Sequence, residues 1–298
     1  MNVRHRQRRT FMFFTTHLMA HNNLPAAPGP IGVFDSGYGG LTILGELQKA
    51  LPTADFIYLG DNARAPYGTR SFDLVYRFTL QAVERLFAEG CHLVILACNT
   101  ASAKALRSIQ QRDLPGLDPD RRVLGVIRPT VEKLGEVSRT GHIGLVATPG
   151  TVASQSYDIE IEKAYPDFRT FTHACPMWVP LVEYGESGGD GADYFVKKDI
   201  DELLGQSPAI DTLILGCTHY PILLPKIRKY VPEGVEVLTQ GKIVADSLLD
   251  YLRRHPEMDA RITRGATTRY LTTERADKFT SLASVFLSHP AHAEQIEL

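Results

Sequence analysis

A run of aliphatic residues ending in a cysteine occurs twice in this chain. It reads Leu93-Val-Ile-Leu-Ala-Cys-Asn-Thr100 in the first half and Thr212-Leu-Ile-Leu-Gly-Cys-Thr-His219 in the second. An uninterrupted apolar run of this length suits a strand buried on both faces, as in a parallel sheet. Each cysteine then falls where the strand ends and the loop to the next helix begins. In open parallel sheets that carboxyl edge is where ligands bind. One cysteine from each half could therefore face the other across a single pocket.

The surrounding pattern repeats as well. Ile31-Gly-Val-Phe34 reads as a strand, Asp35-Ser-Gly-Tyr-Gly-Gly40 as a tight loop, and Leu41 to Leu51 as an amphipathic helix stopped by Pro52. Phe56 to Leu59 is a second strand, and Ser71 to Glu89 a long helix closed by Gly90. A helix over about 101–111 follows Cys98, with Thr100 or Ser102 placed to cap it. In the second half, Ile143 to Thr148 with Pro149-Gly-Thr151 is again a strand and a glycine-containing loop. Thr148 follows Asp35 by 113 positions and Cys217 follows Cys98 by 119, the signature of an internal duplication. Strands alternating with helices predict an α/β fold: two pseudosymmetric parallel-sheet domains with the site in the interdomain cleft. A strand near Arg269–Thr273 and a helix through Leu287 are expected to complete the first domain.

At 298 residues, with 44% hydrophobic side chains and a formal net charge of −2, the chain has length for two cores. It lacks the charge excess of a general nucleic-acid binder and the apolar length of a membrane span. Four cysteines without CxxC pairs make neither a disulfide framework nor a zinc ribbon, and a reducing cytoplasm is the expected setting. Residues 1–30 stand apart. Arg4, Arg6, Arg8 and Arg9 precede a short apolar patch (Phe11 to Phe14) and a Pro/Ala/Gly-rich linker, which together read as a disordered extension.

A thiol with an unperturbed pKa near 8.5 is only a few per cent thiolate at neutral pH, so reactive use needs help nearby. The start of a helix supplies a positive partial field. His219 lies two residues after Cys217, and Asp35 should reach the same sheet edge as Cys98. Each sulfur thus has its own proton partner. A disulfide or a metal site is the alternative for a facing pair, but the metal reading lacks ligands beyond Cys98, Cys217 and His219. Two-base proton transfer at a carbon held between the sulfurs is the sharper reading. One sulfur must then be charged and the other neutral. Ser36, Thr100, Thr148 and Thr218, with helix-start amides, offer donors for carboxylates, and Asp35 could accept from an ammonium group. Helix capping is the bland explanation for Asp35, Ser36 and Thr100. Cys91, Cys175 and Trp178 read as packing residues, Glu183 as a carboxylate that needs a partner, Arg64 and Arg70 as solvated charges, and His92, His142 and His173 as surface or edge residues.

The set Asp35-Ser-Gly-Tyr-Gly-Gly-Leu-Thr42, Pro66-Tyr-Gly68, Cys98-Asn-Thr-Ala-Ser102, Ala174-Cys-Pro176, Pro180-Leu-Val-Glu183 and Gly216-Cys-Thr-His-Tyr-Pro221 resembles the glutamate racemases, in order over about 31–287. The resemblance implies a cofactor-independent enzyme, holding no metal, that interconverts L- and D-glutamate and supplies the D isomer for peptidoglycan. It implies Cys98 and Cys217 as the acid/base pair, Asp35 assisting Cys98, and His219 with Glu183 assisting Cys217. Substrate contacts would be Asp35, Ser36, Tyr67, Gly68, Asn99, Thr100, Thr218 and His219. The implied division is 31–127 plus 240–298 for one domain and 128–239 for the other. The implied partner is the small-molecule substrate glutamate, with no nucleic acid and no membrane; a homodimer is compatible with it. Ile127-Arg-Pro-Thr-Val131 and Thr239-Gln-Gly241 depart from the family pattern, away from the predicted proton-transfer residues. A racemase for aspartate, or a binding protein on the same scaffold, are the competing readings.

Overall fold

The computed structural model of the protein describes residues 27–287 and 290–298. In the first half, β1 (Ile31–Asp35), β2 (Phe56–Gly60), β3 (Leu93–Leu96) and β4 (Arg122–Gly125) form one parallel array. In the second half, β5 (His142–Ala147), β6 (Arg169–Ala174), β7 (Thr212–Gly216) and β8 (Glu236–Leu238) form another. The spatial orders β2-β1-β3-β4 and β6-β5-β7-β8 are the same. The duplication seen in the sequence is therefore a duplication of topology. After β8 the chain crosses back, and β9 (Thr268–Thr272) and β10 (Ala293–Gln295) extend the first sheet beyond β2.

The elements form where the apolar pattern demands. β1, β2, β3 and β7 are buried along their whole length, so helices must cover both faces of each sheet. One face of the first sheet packs Leu41, Leu44 and Leu47 of the helix Leu41–Ala50 together with Val244, Leu248 and Leu252 of the helix Gln240–Arg254. The other face packs Val75, Val83 and Leu86 of the helix Phe72–Ala88. Ser71 caps that helix through Leu74 N (3.4 Å). Ile127, Val131 and Leu134 of the helix Ile127–Val137 cover the second sheet.

Several expectations need correction. The helix after Cys98 is not one element over 101–111. It runs as Asn99–Lys104, Leu106–Ser108, a π-helical turn Ile109–Asp113 and Leu114–Leu117. His92 is buried rather than at the surface, 5% exposed, with Nε2 2.8 Å from the Ala27 carbonyl. Arg64 is not a free solvated charge: its Nε donates to both oxygens of the fully buried Asp61 (2.9 and 2.7 Å), and its guanidinium covers Phe78. The extension expected over 1–30 lies outside the described residues as far as residue 26. Gly29 is already paired, donating to Arg261 O at 2.9 Å and accepting from Thr263 N at 3.0 Å. Among the described residues no helix is long and apolar enough to cross a membrane.

Asp211, just before β7, fastens the entry to the second sheet. Its carboxylate accepts from Ser138 Oγ (2.7 Å) and from the amides of Arg139 (2.7 Å) and Thr140 (2.9 Å). Partial burial raises its pKa, but these donors outweigh that and hold it at about 2. The native form thus binds the proton less readily than the unfolded chain. The stabilisation is present above the ordinary carboxylate pKa and is lost as pH falls towards 2. Asp211→Asn should lower stability by about 1 kcal/mol at pH 7, allowing for solvent screening. Urea midpoints of protein and variant should converge as the pH approaches 2.

Candidate active site

The four strand ends β1, β3, β5 and β7 deliver the residues that matter. Cys98 follows β3 and Cys217 follows β7, and both are free and buried. Cys98 is itself the N-cap of the helix Asn99–Lys104, its Sγ accepting from Ala101 N at 3.4 Å. Neither Thr100 nor Ser102 caps it, contrary to expectation. Thr100 turns to the other half, its Oγ1 lying 2.9 Å from Thr148 Oγ1 and 3.2 Å from Thr151 Oγ1. Ser102 donates back to Leu96 O (2.8 Å). Asp35 and Ser36 are not helix caps either. Gly40 occupies the cap of the next helix without a side-chain bond, while Asp35 Oδ1 accepts from Gly37 N at 2.8 Å. Ser36 Oγ lies 3.4 Å from Cys98 Sγ.

The halves meet loop to loop. A methyl group at Gly39 would lie 2.3 Å from Thr218 Oγ1 and 2.5 Å from His219 Nδ1, so only glycine allows this approach. Thr218 Oγ1 donates to Asp35 Oδ2 (3.3 Å), and Thr42 Oγ1 donates to Thr218 O (3.1 Å). The β1 loop thus rests on the β7 loop, just as the β5 loop rests on the β3 loop through Thr148 and Thr100. The registers Phe34↔Leu96 and Val146↔Leu215 make Asp35 and Ala147 equivalent positions. Only the first half has a carboxylate there. By the same correspondence the imidazole of His219 stands where the first half has the hydroxyl of Thr100.

The electrostatics follow that asymmetry. Burial pushes the Cys98 thiol up to about 12, and the neighbouring Asp35 carboxylate adds to the rise, against donors at Ser36 and Ala101. Burial also raises Asp35, opposed by the charge of His219, the amides of Gly37 and Gly40, and the Thr218 hydroxyl. Burial of His219 acts to lower its pKa. Hydrogen bonds to Cys217 (Sγ to Nδ1, 3.8 Å) and Glu183 (Oε1 to Nε2, 3.0 Å) outweigh it and raise the ring to about 10. At neutral pH the unliganded site therefore holds an imidazolium between Cys217 and Glu183, and a neutral thiol at Cys98. The carboxylate of Asp35 thus acts on one sulfur and the imidazole of His219 stands beside the other.

Not every expected contact is made by a side chain. Tyr67 is buried with its hydroxyl donated to Asp61 Oδ2, so what it can offer a ligand is main chain. Gly68 O accepts from Gly150 N at 2.7 Å, joining the halves again. Asn99 faces away from its neighbours into a buried network that was not foreseen. Its Nδ2 donates to Gln240 Oε1 (2.6 Å) and its Oδ1 accepts from Tyr157 OH (2.7 Å); Gln240 Nε2 donates to Thr130 Oγ1 (2.9 Å). Gln240 and Thr130 belong to the two segments that depart from the family pattern, so these departures reach the residue beside Cys98 after all. A cavity of about 530 Å³ lined by Arg107, Leu124, Arg128, Ile159, Tyr251 and Arg254 contains neither cysteine. Gln240→Leu leaves the buried Asn99 Nδ2 without its acceptor, at about 1–3 kcal/mol, while Asn99 Oδ1 keeps Tyr157 and Thr130 Oγ1 keeps Val126 O. It should lower thermal stability and reduce turnover more than Cys91→Ala does, by melting and steady-state assays on the same preparations.

The family model described as Asp/Glu/Hydantoin racemase matches residues 34–248. A glutamate racemase from Ruegeria sp. (strain TM1040) is 42% identical over 267 residues, 86% of this chain and 96% of that protein. The crystal structure of glutamate racemase isoform RacE1 from Bacillus anthracis is similar with a TM-score of 0.82 at 32% identity, covering 91% of this chain and 98% of that one. Glutamate racemase from Francisella tularensis, solved in complex with D-glutamate, is similar with a TM-score of 0.79 at 32% identity over 91% and 98% of the two chains. Sequence, topology and the paired cysteine loops agree: this chain belongs to the Asp/Glu/Hydantoin racemase family.

Proposed function

We propose that this chain is an amino-acid racemase that interconverts L- and D-glutamate, the D isomer serving peptidoglycan synthesis, and that Cys98 and Cys217 are its two acid/base residues. The observation that carries the reading is the pair of buried thiols at equivalent strand ends, each with a different charged partner. Relatives named glutamate racemase over nearly the whole chain support the substrate. On this reading residues 31–127 with 240–298 form one unit, 128–239 the other, and the substrate lies between them.

Glutamate would place its ammonium group near Asp35 and its carboxylates against Ser36, Thr100, Thr218, the Gly68 main chain and helix-start amides. Asn99 would hold the Cys98 loop in place. A cation beside Asp35 and Cys98 relieves the pressure that raises both, so substrate binding itself eases ionisation of Cys98. In one direction the Cys217 thiolate, held by the His219 imidazolium and Glu183, removes the proton from Cα. The Cys98 thiol delivers its own proton to the opposite face. The bond to hydrogen breaks on one side and forms on the other, and the two sulfurs exchange protonation states. The reverse reaction starts from the exchanged state. Charge developing at Cα and its carboxylate is met by the positive helix starts and the surrounding hydroxyls.

The direct test is L-glutamate with the purified protein in D₂O, following optical rotation and deuterium at Cα. Decay to zero with deuterium incorporation is the expected result. Decay with aspartate alone would change the substrate, and silence with both would leave a binding protein. Cys98→Ser and Cys217→Ser should each reduce racemisation by at least about 10²-fold; normal turnover in both directions by either variant would remove it from the mechanism. The pH profile of kcat/KM should be bell-shaped. Because the folded value of His219 is raised to about 10, its charge is present below that pH and lost as pH rises through it. The alkaline limb should therefore fall near pH 10, and His219→Asn should shift it.

A further inference from the structure

A second cluster of reactive side chains lies outside the site described above. His173 is the penultimate residue of β6 and Cys175 follows two positions later, so both side chains project to the same side. Asp199, on the helix Asp190–Leu204, faces them. The donor atoms of His173, Cys175 and Asp199 all lie within 4.8 Å of one another. His173 Nε2 is 3.2 Å from Asp199 Oδ1 and 3.6 Å from Glu202 Oε2, one helical turn further on. Cys175 and Asp199 are buried, while His173 and Glu202 reach towards solvent and leave a way in.

Two features go beyond what packing requires. Asp199 Oδ2 is buried and has no hydrogen-bond partner among the described residues, a costly state for a carboxylate oxygen. Cys175, expected to be a packing residue, stands beside that carboxylate. A buried carboxylate set beside a sulfur is the kind of pair that a cation held between them completes. Lys198 lies 3.8 Å from Asp199 and 3.5 Å from Glu202, but from a half-exposed position.

We propose that His173, Cys175 and Asp199, closed by Glu202, bind one divalent cation of the zinc class. Imidazole nitrogen, thiolate sulfur and carboxylate oxygen in one set suit a borderline-soft metal and disfavour calcium or magnesium. Tetrahedral zinc with bonds of about 2.0–2.3 Å sets its ligands about 3.3–3.7 Å apart; the His173–Asp199 and His173–Glu202 separations are close to this. Binding replaces the Cys175 S–H bond by a sulfur–metal bond and releases that proton to solvent. The dication balances the thiolate and one carboxylate, and the Lys198 ammonium offsets the second. The site would lie next to the catalytic machinery, because Tyr220, adjacent to His219, donates its hydroxyl to the Cys175 carbonyl at 3.3 Å.

Cobalt(II) is the probe, added to the full chain carrying Cys98→Ser and Cys217→Ser so that no thiol of the proposed active site competes. The expected result is one cobalt per chain by equilibrium dialysis, with a thiolate-to-cobalt charge-transfer absorption that zinc abolishes. Cys175→Ser should remove the absorption, and His173→Gln, at the accessible end of the cluster, should weaken cobalt binding at least tenfold. Circular dichroism melts of both variants establish that they remain folded. No stoichiometric cobalt, or binding and absorption unchanged by either variant, would overturn the site and leave a hydrogen-bonded polar cluster.

Discussion

The close approach of Gly39 to the Thr218 and His219 side chains is the constraint on which the site depends. With no side chain at Gly39, the first loop of one half can rest directly on the third loop of the other. That approach brings Asp35 within reach of Thr218 and sets the imidazole of His219 where its charge acts on Asp35. A bulkier residue would separate the two sheets at the one place where their chemistry has to meet. The Thr100–Thr148–Thr151 hydroxyl cluster makes the corresponding contact on the other diagonal.

Duplication supplied two equivalent cysteine loops, but not two equivalent environments. Asp35 has Ala147 as its counterpart, and His219 has Thr100. A perfectly symmetric pocket would give both sulfurs the same affinity for a proton. On the proposed two-base mechanism one sulfur must be charged while the other is not, and the states must exchange. The departures from symmetry would then set the starting state, and the fold's symmetry would keep the exchanged state geometrically equivalent.

Much of this was legible from the residues. The central strands β1, β2, β3, β5 and β7 are apolar enough to be read directly, and the cysteines at their ends point to the site. The strands that escaped reading, β4, β6, β8 and β10, are the edges of the two sheets. An edge strand is covered less completely and carries polar residues such as Arg122, Arg169 and Glu236, so no continuous apolar run marks it. Local signals also misassigned Thr100, read as a helix cap, and His92, read as a surface residue. Each has a plausible role nearby in sequence, but its partner lies far along the chain, at Thr148 and Ala27. Asp35 and His219 were readable because their sulfur partners stand at the ends of neighbouring strands or on the same loop. Gln240 was not, because a glutamine at the start of an amphipathic helix gives no hint that its amide is buried.

The chain passes between the two sheets twice, after β4 and before the helix Gln240–Arg254, and the two passages run side by side. Gln240 Nε2 reaches both Val126 O (3.5 Å) and Thr130 Oγ1 (2.9 Å), stitching one passage to the other. Two adjacent covalent links leave a pair of rigid bodies one easy degree of freedom, a swing about the line through both, as the covers of a book turn about its spine. Residues bonded to that spine travel least when the covers part, and Asn99, beside Cys98, is one of them.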